Sequence, residues 1–101
     1  MISKKPDQCK SMEDVRKEID SIDHQIIKLF SERLHYVEEI VRFKHDEAGV
    51  VAKERKNYVI NQRAEWAAEK GLDPIVFKKI YTLLVESNIK HELDLLKSKK
   101  Q

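Results

Sequence analysis

The sequence has very few of the residues that break helices or cross-link a chain. Its 101 residues include two glycines, two prolines and one cysteine. Because so few residues favour tight turns, we expect the secondary-structure elements to be long. The lone Cys9 excludes an intramolecular disulfide, and it favours a reducing, cytoplasmic location.

Long apolar runs and an excess of one charge are also missing. The sequence has no run of about 18 apolar residues and no signal-type segment, so we expect no membrane partner. Basic and acidic residues, 20 and 18 in number, are interleaved, and the net charge of +2 does not indicate a nucleic-acid partner. The histidines lack metal-ligand spacing such as H-E-x-x-H, so we expect no metal site and interpret them as surface or solvated residues: His24, His35, His45 and His91.

A continuous helical pattern fills the first half of the chain. Ser11 is the expected N-cap. The seam then advances in steps of three or four residues through Val15, Ile19, Ile22, Ile26, Leu29, Arg33, Val37, Ile40 and Lys44. A helix from Ser11 to about Lys44 would be about 50 Å long, which exceeds a compact globule of this size. We therefore expect it to overhang the monomer, with a second copy covering its apolar stripe.

Two further helices are predicted after a loop. The segment 45–54, "HDEAGVVAKE", breaks the helical period, and Gly49 indicates a mobile loop there. Gly71 should end the second helix, and Asp73 followed by Pro74 should begin the third. The predicted fold class is all-α, with three helices of which one is very long.

The expected domain organisation is simple. Residues 1–10 are predicted to be a flexible leader, residues 11–98 one helical domain, and residues 99–101 a fraying basic tail without function. The seam of the third helix runs through Phe77, Tyr81, Leu84, Asn88, Glu92 and Leu95.

Polar residues interrupt the apolar seams. Arg33 and Lys44 lie on the first seam, and Asn88 and Glu92 on the third. Such residues can simply reach solvent from the edge of a stripe or fix a coiled-coil register. However, one helix would place Arg33 and Lys44 about 16 Å apart on nearly the same line, and two cations facing an apolar interior are unfavourable without an anion. Because that stripe has no carboxylate, we hypothesise that a ligand supplies the counter-charge.

The first helix, "SMEDVRKEIDSIDHQIIKLFSERLHYVEEIVRFK", resembles that of the all-helical chorismate mutases. Their pattern is an arginine before an "xEIDxID" segment, a second arginine about two heptads later, and a lysine eleven residues beyond; here these are Arg16, Arg33 and Lys44. The stretches "HYVEEIVRFK" and "EWAAEKGLD" are most similar to the small isochorismate pyruvate lyases of salicylate biosynthesis, which share the fold and retain mutase activity.

The resemblance implies an intertwined homodimer of three-helix chains whose active sites each use the long helix of the other chain. It implies that Arg33 and Arg55 hold the carboxylates of a small dicarboxylate substrate and that Arg16 reaches across from the partner. Lys44 would bridge a carboxylate and the ether oxygen, and Glu92 stands where the family has Gln or Glu. Lys44 and Glu92 are thus the candidate catalytic residues.

The implied reactions are chorismate to prephenate and isochorismate to salicylate plus pyruvate. Both are pericyclic, and the ether oxygen gains negative charge as its bond breaks, so no cofactor is expected and Lys44 with a protonated Glu92 would stabilise that oxygen. Two departures from the mutases bear on substrate choice. Lys56 replaces a common glutamate, and Asn88, a candidate substrate-binding residue, takes a position that is often Ser.

Two other functions fit part of the pattern. A nucleic-acid binder could use the basic third helix, but Glu86, Glu92 and Asp94 dilute its lysines and no helix-turn-helix spacing is present. A non-catalytic dimerisation or regulatory module stays open, because some members of the family are fused to other enzymes or control them.

Overall fold

The computed structural model of the protein describes residues 4–100, which contain helices and no strand. The helices are α1 (Met12–Ile40), α2 (Glu47–Val51), α3 (Lys53–Glu69) and α4 (Pro74–Lys100), with 3₁₀ turns at Pro6–Gln8 and Val41–Phe43. The predicted all-α class with three main helices is therefore confirmed, and α2 is an additional short helix. Across the described range, no helix is long and apolar enough to cross a bilayer. Residues 1–3 of the predicted leader and Gln101 of the predicted tail lie outside it.

The chain divides into two compact units, with the boundary between Tyr36 and Val37. In the first unit, the Ser11 hydroxyl accepts the backbone N–H of Asp14 at 3.1 Å, which confirms the predicted N-cap. The Asp14 carboxylate accepts the backbone N–H of Lys10 at 3.1 Å and the ammonium of Lys4 at 3.2 Å. These bonds, the Lys10 bond first, hold the pKa of Asp14 below its ordinary value. Part of the predicted leader is thus bound to the first turn of α1.

The first unit exposes the apolar stripe of α1. The exposed large apolar side chains of this unit are Met12, Val15, Ile19, Ile22, Ile26, Ile27, Leu29, Leu34 and Tyr36. Exposed apolar patches of this extent usually mark an interaction surface. A second copy as the cover for the stripe stays a prediction.

The end of α1 lies in the second unit and comes four residues before the predicted one. The helix ends at Ile40, Val41–Phe43 form the 3₁₀ turn, and Lys44 has an extended backbone with φ −107° and ψ 136°. The prediction that a single helical stripe carries both Arg33 and Lys44 is therefore wrong.

Packing accounts for this early end. Val41, Val50 and Leu96 form a buried cluster, against which Ile89, Leu93 and Leu95 pack. Val41 is 55 positions from Leu96 in sequence, so the contact that turns the chain out of the helix is a long-range one. Burying Val41 favours the turn over a longer helix, because removing a valine side chain from water is favourable by about 1.5–3 kcal/mol.

The predicted loop at 45–54 contains the short helix α2. Asp46 Oδ1 accepts the backbone N–H of Gly49 at 2.7 Å and caps this helix, while Val50 anchors it in the core. Ala52 ends α2 in the left-handed region, with φ 36° and ψ 64°. Gly49 indicated a loop, but the Asp46 cap and the burial of Val50 stabilise one helical turn instead.

The α3–α4 hairpin follows the prediction. Gly71 adopts φ 79° just after α3, a conformation that favours glycine, so the predicted stop is confirmed. Asp73 Oδ1 accepts the backbone N–H of Ile75 at 2.9 Å and Pro74 is the first residue of α4, which confirms the predicted start. α4 packs along α3 and continues to Lys100, into the predicted tail.

Candidate functional site

Lys44 and Glu92 form an ion pair in the second unit. Lys44 Nζ lies 3.1 Å from Glu92 Oε1, and only 20% and 8% of the two side chains are exposed. Lys44 follows the 3₁₀ turn, whereas Glu92 lies within α4. Glu92 therefore supplies the negative charge that balances Lys44. The hypothesis drawn from the sequence had assigned this counter-charge to a ligand. The two predicted catalytic residues are brought together.

One face of α4 positions this pair. Asn88, Glu92 and Leu96 are buried and recur every four residues, so they share a face of the helix. We call these three residues the α4 stripe. Leu96 packs on Val41 and Val50, which bracket Lys44 in sequence. Apolar contacts on both sides of Lys44 thus hold its segment against the stripe.

The pairing leaves hydrogen-bond donors on Lys44. Removing a lysine and a glutamate from water is unfavourable, and their mutual hydrogen bond offsets that penalty only in good geometry. An ammonium group has three donors, so pairing with one Glu92 oxygen leaves Lys44 with donors for a second anion. Such donors are suited to an oxygen that becomes negative during a reaction.

The other predicted site residues lie on three helices. Arg55 is exposed near the start of α3, with its guanidinium 5.6 Å from the ring centroid of Tyr58. Asn88 is buried one turn before Glu92. Arg16 and Arg33 lie on α1 in the first unit, and their convergence with Lys44 stays a prediction.

One contact at the site was missed by sequence reasoning. His91 Nε2 lies 2.7 Å from Glu38 Oε2, which joins α4 to the last turns of α1 beside Glu92. The interpretation of His91 as a solvated surface residue therefore overlooked a partner that is 53 positions away, and no local pattern signals such a pair. Within residues 4–100, no group of three His, Cys, Asp or Glu side chains could hold a metal ion.

A cavity of about 220 Å³ lies elsewhere, at the α3–α4 turn. Its lining includes Trp66, Phe77 and Tyr81, with Arg63 and Lys70 at the polar side. Along α4, Tyr81 is the lining residue nearest to Glu92 and precedes it by eleven residues, or about 16 Å. The cavity is therefore separate from the Lys44–Glu92 pair.

Known proteins share this sequence pattern. The sequence model of the family described as chorismate mutase type II matches residues 15–93. The isochorismate pyruvate lyase of Pseudomonas aeruginosa is 33% identical over 90 residues, which cover 89% of each chain. The chorismate mutase of Methanocaldococcus jannaschii is 30% identical over 77 residues, covering 74% of this chain and 77% of that protein. The T-protein of Haemophilus influenzae is 26% identical over 83 residues, covering 81% of this chain but 22% of that protein.

We predict strong coupling between Lys44 and Glu92 in a double-mutant cycle of unfolding free energies. Lys44→Met or Glu92→Met alone leaves a partly buried charge without its partner, so the two effects should fall short of additivity by about 1–3 kcal/mol. The same cycle on Lys56 and Glu86 is the control, because that pair is 3.9 Å apart with side chains 29% and 52% exposed. Its coupling should be about 0.5 kcal/mol or less. Additive effects at Lys44 and Glu92 would contradict the pairing.

Proposed function

We propose that this chain catalyses pericyclic reactions of chorismate-type dianions, because it belongs to the family of type II chorismate mutases. It is an enzyme of the chorismate mutase type, the isochorismate pyruvate lyase type, or both. Our proposal is that it converts chorismate to prephenate and also isochorismate to salicylate and pyruvate. The observation that carries this proposal is the largely buried Lys44–Glu92 pair, which presents an ammonium beside a carboxyl group on α4.

Charge stabilisation at the ether oxygen is the proposed role of Lys44. In the mutase reaction, the bond between that oxygen and the ring breaks while the enolpyruvyl carbon bonds to the ring. In the lyase reaction, a ring hydrogen moves to the enolpyruvyl carbon as the same type of bond breaks. The oxygen gains negative charge in both, so an ammonium donor placed there lowers both barriers without a nucleophile.

Substrate orientation is the proposed role of the arginines. An arginine fork binds a carboxylate through two parallel hydrogen bonds, so two such contacts leave a dianion little freedom. Arg33 and Arg55 would bind the two carboxylates and favour the reactive conformer of the substrate. Arg16 would complete the site from a second copy of the chain.

Glu92 has two proposed roles. Without substrate it compensates Lys44, which it contacts at 3.1 Å. With substrate bound, the dianion compensates the cations, and a protonated Glu92 donates a hydrogen bond to the ether oxygen. An ionised carboxylate would instead repel the charge that develops there.

A homodimer is part of the proposal. The exposed apolar stripe of α1 supports it, because a second copy would remove this stripe from water. Arg16 is exposed on the same helix, one position after Val15 of the stripe. A helix that crosses to the other chain could therefore carry Arg16 into that chain's site.

Similarity to an isochorismate pyruvate lyase over 89% of the chain supports the lyase activity. Two residues are expected to influence the choice between substrates. Asn88 is buried one turn from Glu92 on the α4 stripe. The Nζ atom of Lys56 lies 3.9 Å from Glu86 Oε1. Either residue can change the polar contacts offered to the substrate ring, where chorismate and isochorismate differ.

We predict that Lys44→Ala lowers kcat by about 100-fold to 1,000-fold, because the lost donor acts mainly on the transition state. Loss of the chorismate diene absorbance and appearance of salicylate fluorescence measure the two reactions. Lys53→Ala, at an exposed lysine on α3, is the control and should behave as wild type. Near-normal kcat in Lys44→Ala would contradict the mechanism. A wild-type protein that converts neither substrate would contradict the proposed function and favour a non-catalytic module.

We predict a second effect from Glu92, whose proposed role is to donate a hydrogen bond to the ether oxygen. Glu92→Gln keeps a neutral donor at this place and should retain most of the wild-type kcat in the same two assays. Glu92→Met removes the donor and should lower kcat by about 100-fold or more. Equal kcat values in the two variants would exclude Glu92 as the donor.

A further inference from the structure

The last turn of α4 contacts the segment that carries Lys44. Lys99 Nζ donates to the backbone carbonyl of Val41 at 3.2 Å and to that of Arg42 at 3.4 Å. These carbonyls belong to the 3₁₀ turn that follows α1. Carbonyls at the end of a helix lack intrahelical partners, and a cation is favourable there. Lys99, in the segment predicted to fray without function, therefore binds the 3₁₀ turn that follows α1.

One carbonyl links Lys99 directly to Lys44. Val41 O accepts the backbone N–H of Lys44 at 3.2 Å and the ammonium of Lys99 at 3.2 Å. The bond from Lys44 closes the 3₁₀ turn and fixes where the extended backbone begins. A cation on the shared oxygen stabilises the turn in this geometry, because a charge-assisted hydrogen bond is stronger than a neutral one.

Lys99 also continues the face of α4 that holds the candidate site. It follows Glu92 by seven residues, two turns along the helix, so it lies on nearly the same face as Glu92 and Leu96. The same stretch of α4 thus contacts the Lys44 segment three times. Glu92 pairs with the Lys44 ammonium, and Leu96 packs on Val41. Lys99 binds two backbone carbonyls of the 3₁₀ turn.

We propose that Lys99 is a positioning residue for Lys44, and this inference rests on the proposed function. Lys99 binds backbone carbonyls, so it acts through the conformation of the turn. With Lys99 bound, the Lys44 ammonium is held near the position where the ether oxygen becomes negative. Without it, the turn opens more often and Lys44 spends less time there, which lowers kcat more than it weakens substrate binding.

The test compares Lys99→Met with Lys97→Met, a matched control that removes the same charge from an exposed lysine two residues earlier. Lys99→Met should lower kcat by about two- to threefold, because losing its charge-assisted bonds raises the open-to-closed ratio of the turn about 10-fold but still leaves a closed fraction, with a smaller change in KM. Lys97→Met should leave both constants near wild type. Lys99→Arg keeps a cationic donor and should restore most of the lost kcat. Equal kcat values in Lys99→Met and Lys97→Met would overturn the inference.

A measurement without substrate separates this inference from the proposed function. Hydrogen exchange of the Lys44 amide, read by NMR, reports opening of its bond to Val41 O. Exchange should be about three- to fivefold faster in Lys99→Met than in Lys97→Met, because the open fraction of the turn rises. If exchange in Lys99→Met equals that in Lys97→Met, the inference is overturned whatever the activity. Faster exchange in Lys99→Met with an unchanged kcat would also overturn it. If the wild type converts neither substrate, the proposed function fails, and so does catalytic positioning by Lys99.

Discussion

The pairing of two largely buried opposite charges, Lys44 and Glu92, constrains the rest of the second unit. Neither charge is favourable at that depth without the other. Glu92 is part of a long helix, so the chain after α1 has to bring Lys44 to it. The early end of α1, the 3₁₀ turn and the capped helix α2 accomplish this, and the apolar cluster of Val41, Val50 and Leu96 holds them against α4. Packing and electrostatics therefore act at the same place.

Local sequence features predicted the helices well. The predicted helix ends depend on contacts between residues that are close in sequence. Each of them caps or ends a helix as expected, at Ser11, Gly71 and Asp73. The end of α1 was predicted wrongly because the helical period continues unbroken to Lys44, and only the distant Leu96 shows why Val41 leaves the helix. The helix α2 was missed for the same reason. Gly49 indicates a loop, and the burial of Val50 depends on the distant Leu96.

The candidate site was only partly predictable. The resemblance to the all-helical chorismate mutases identified Lys44 and Glu92, which the structure places 3.1 Å apart. It did not indicate that Glu92 would be the counter-charge for Lys44, because the two residues are 48 positions apart. Nor did it indicate Lys99, whose role depends on backbone carbonyls that any residue type supplies. A contact to the backbone between residues 58 positions apart leaves no pattern in a single sequence.

We propose that a site with Lys44 held by α4 in one chain is completed by Arg16 of a second copy. Refolding a mixture of Arg16→Ala and Lys44→Ala chains tests it most directly. Under random pairing, half of the dimers contain one chain of each kind, and each such dimer has one intact site. We predict that chorismate or isochorismate turnover recovers to about a quarter of the wild-type rate. Turnover that stays at the residual level of the separate variants would contradict it.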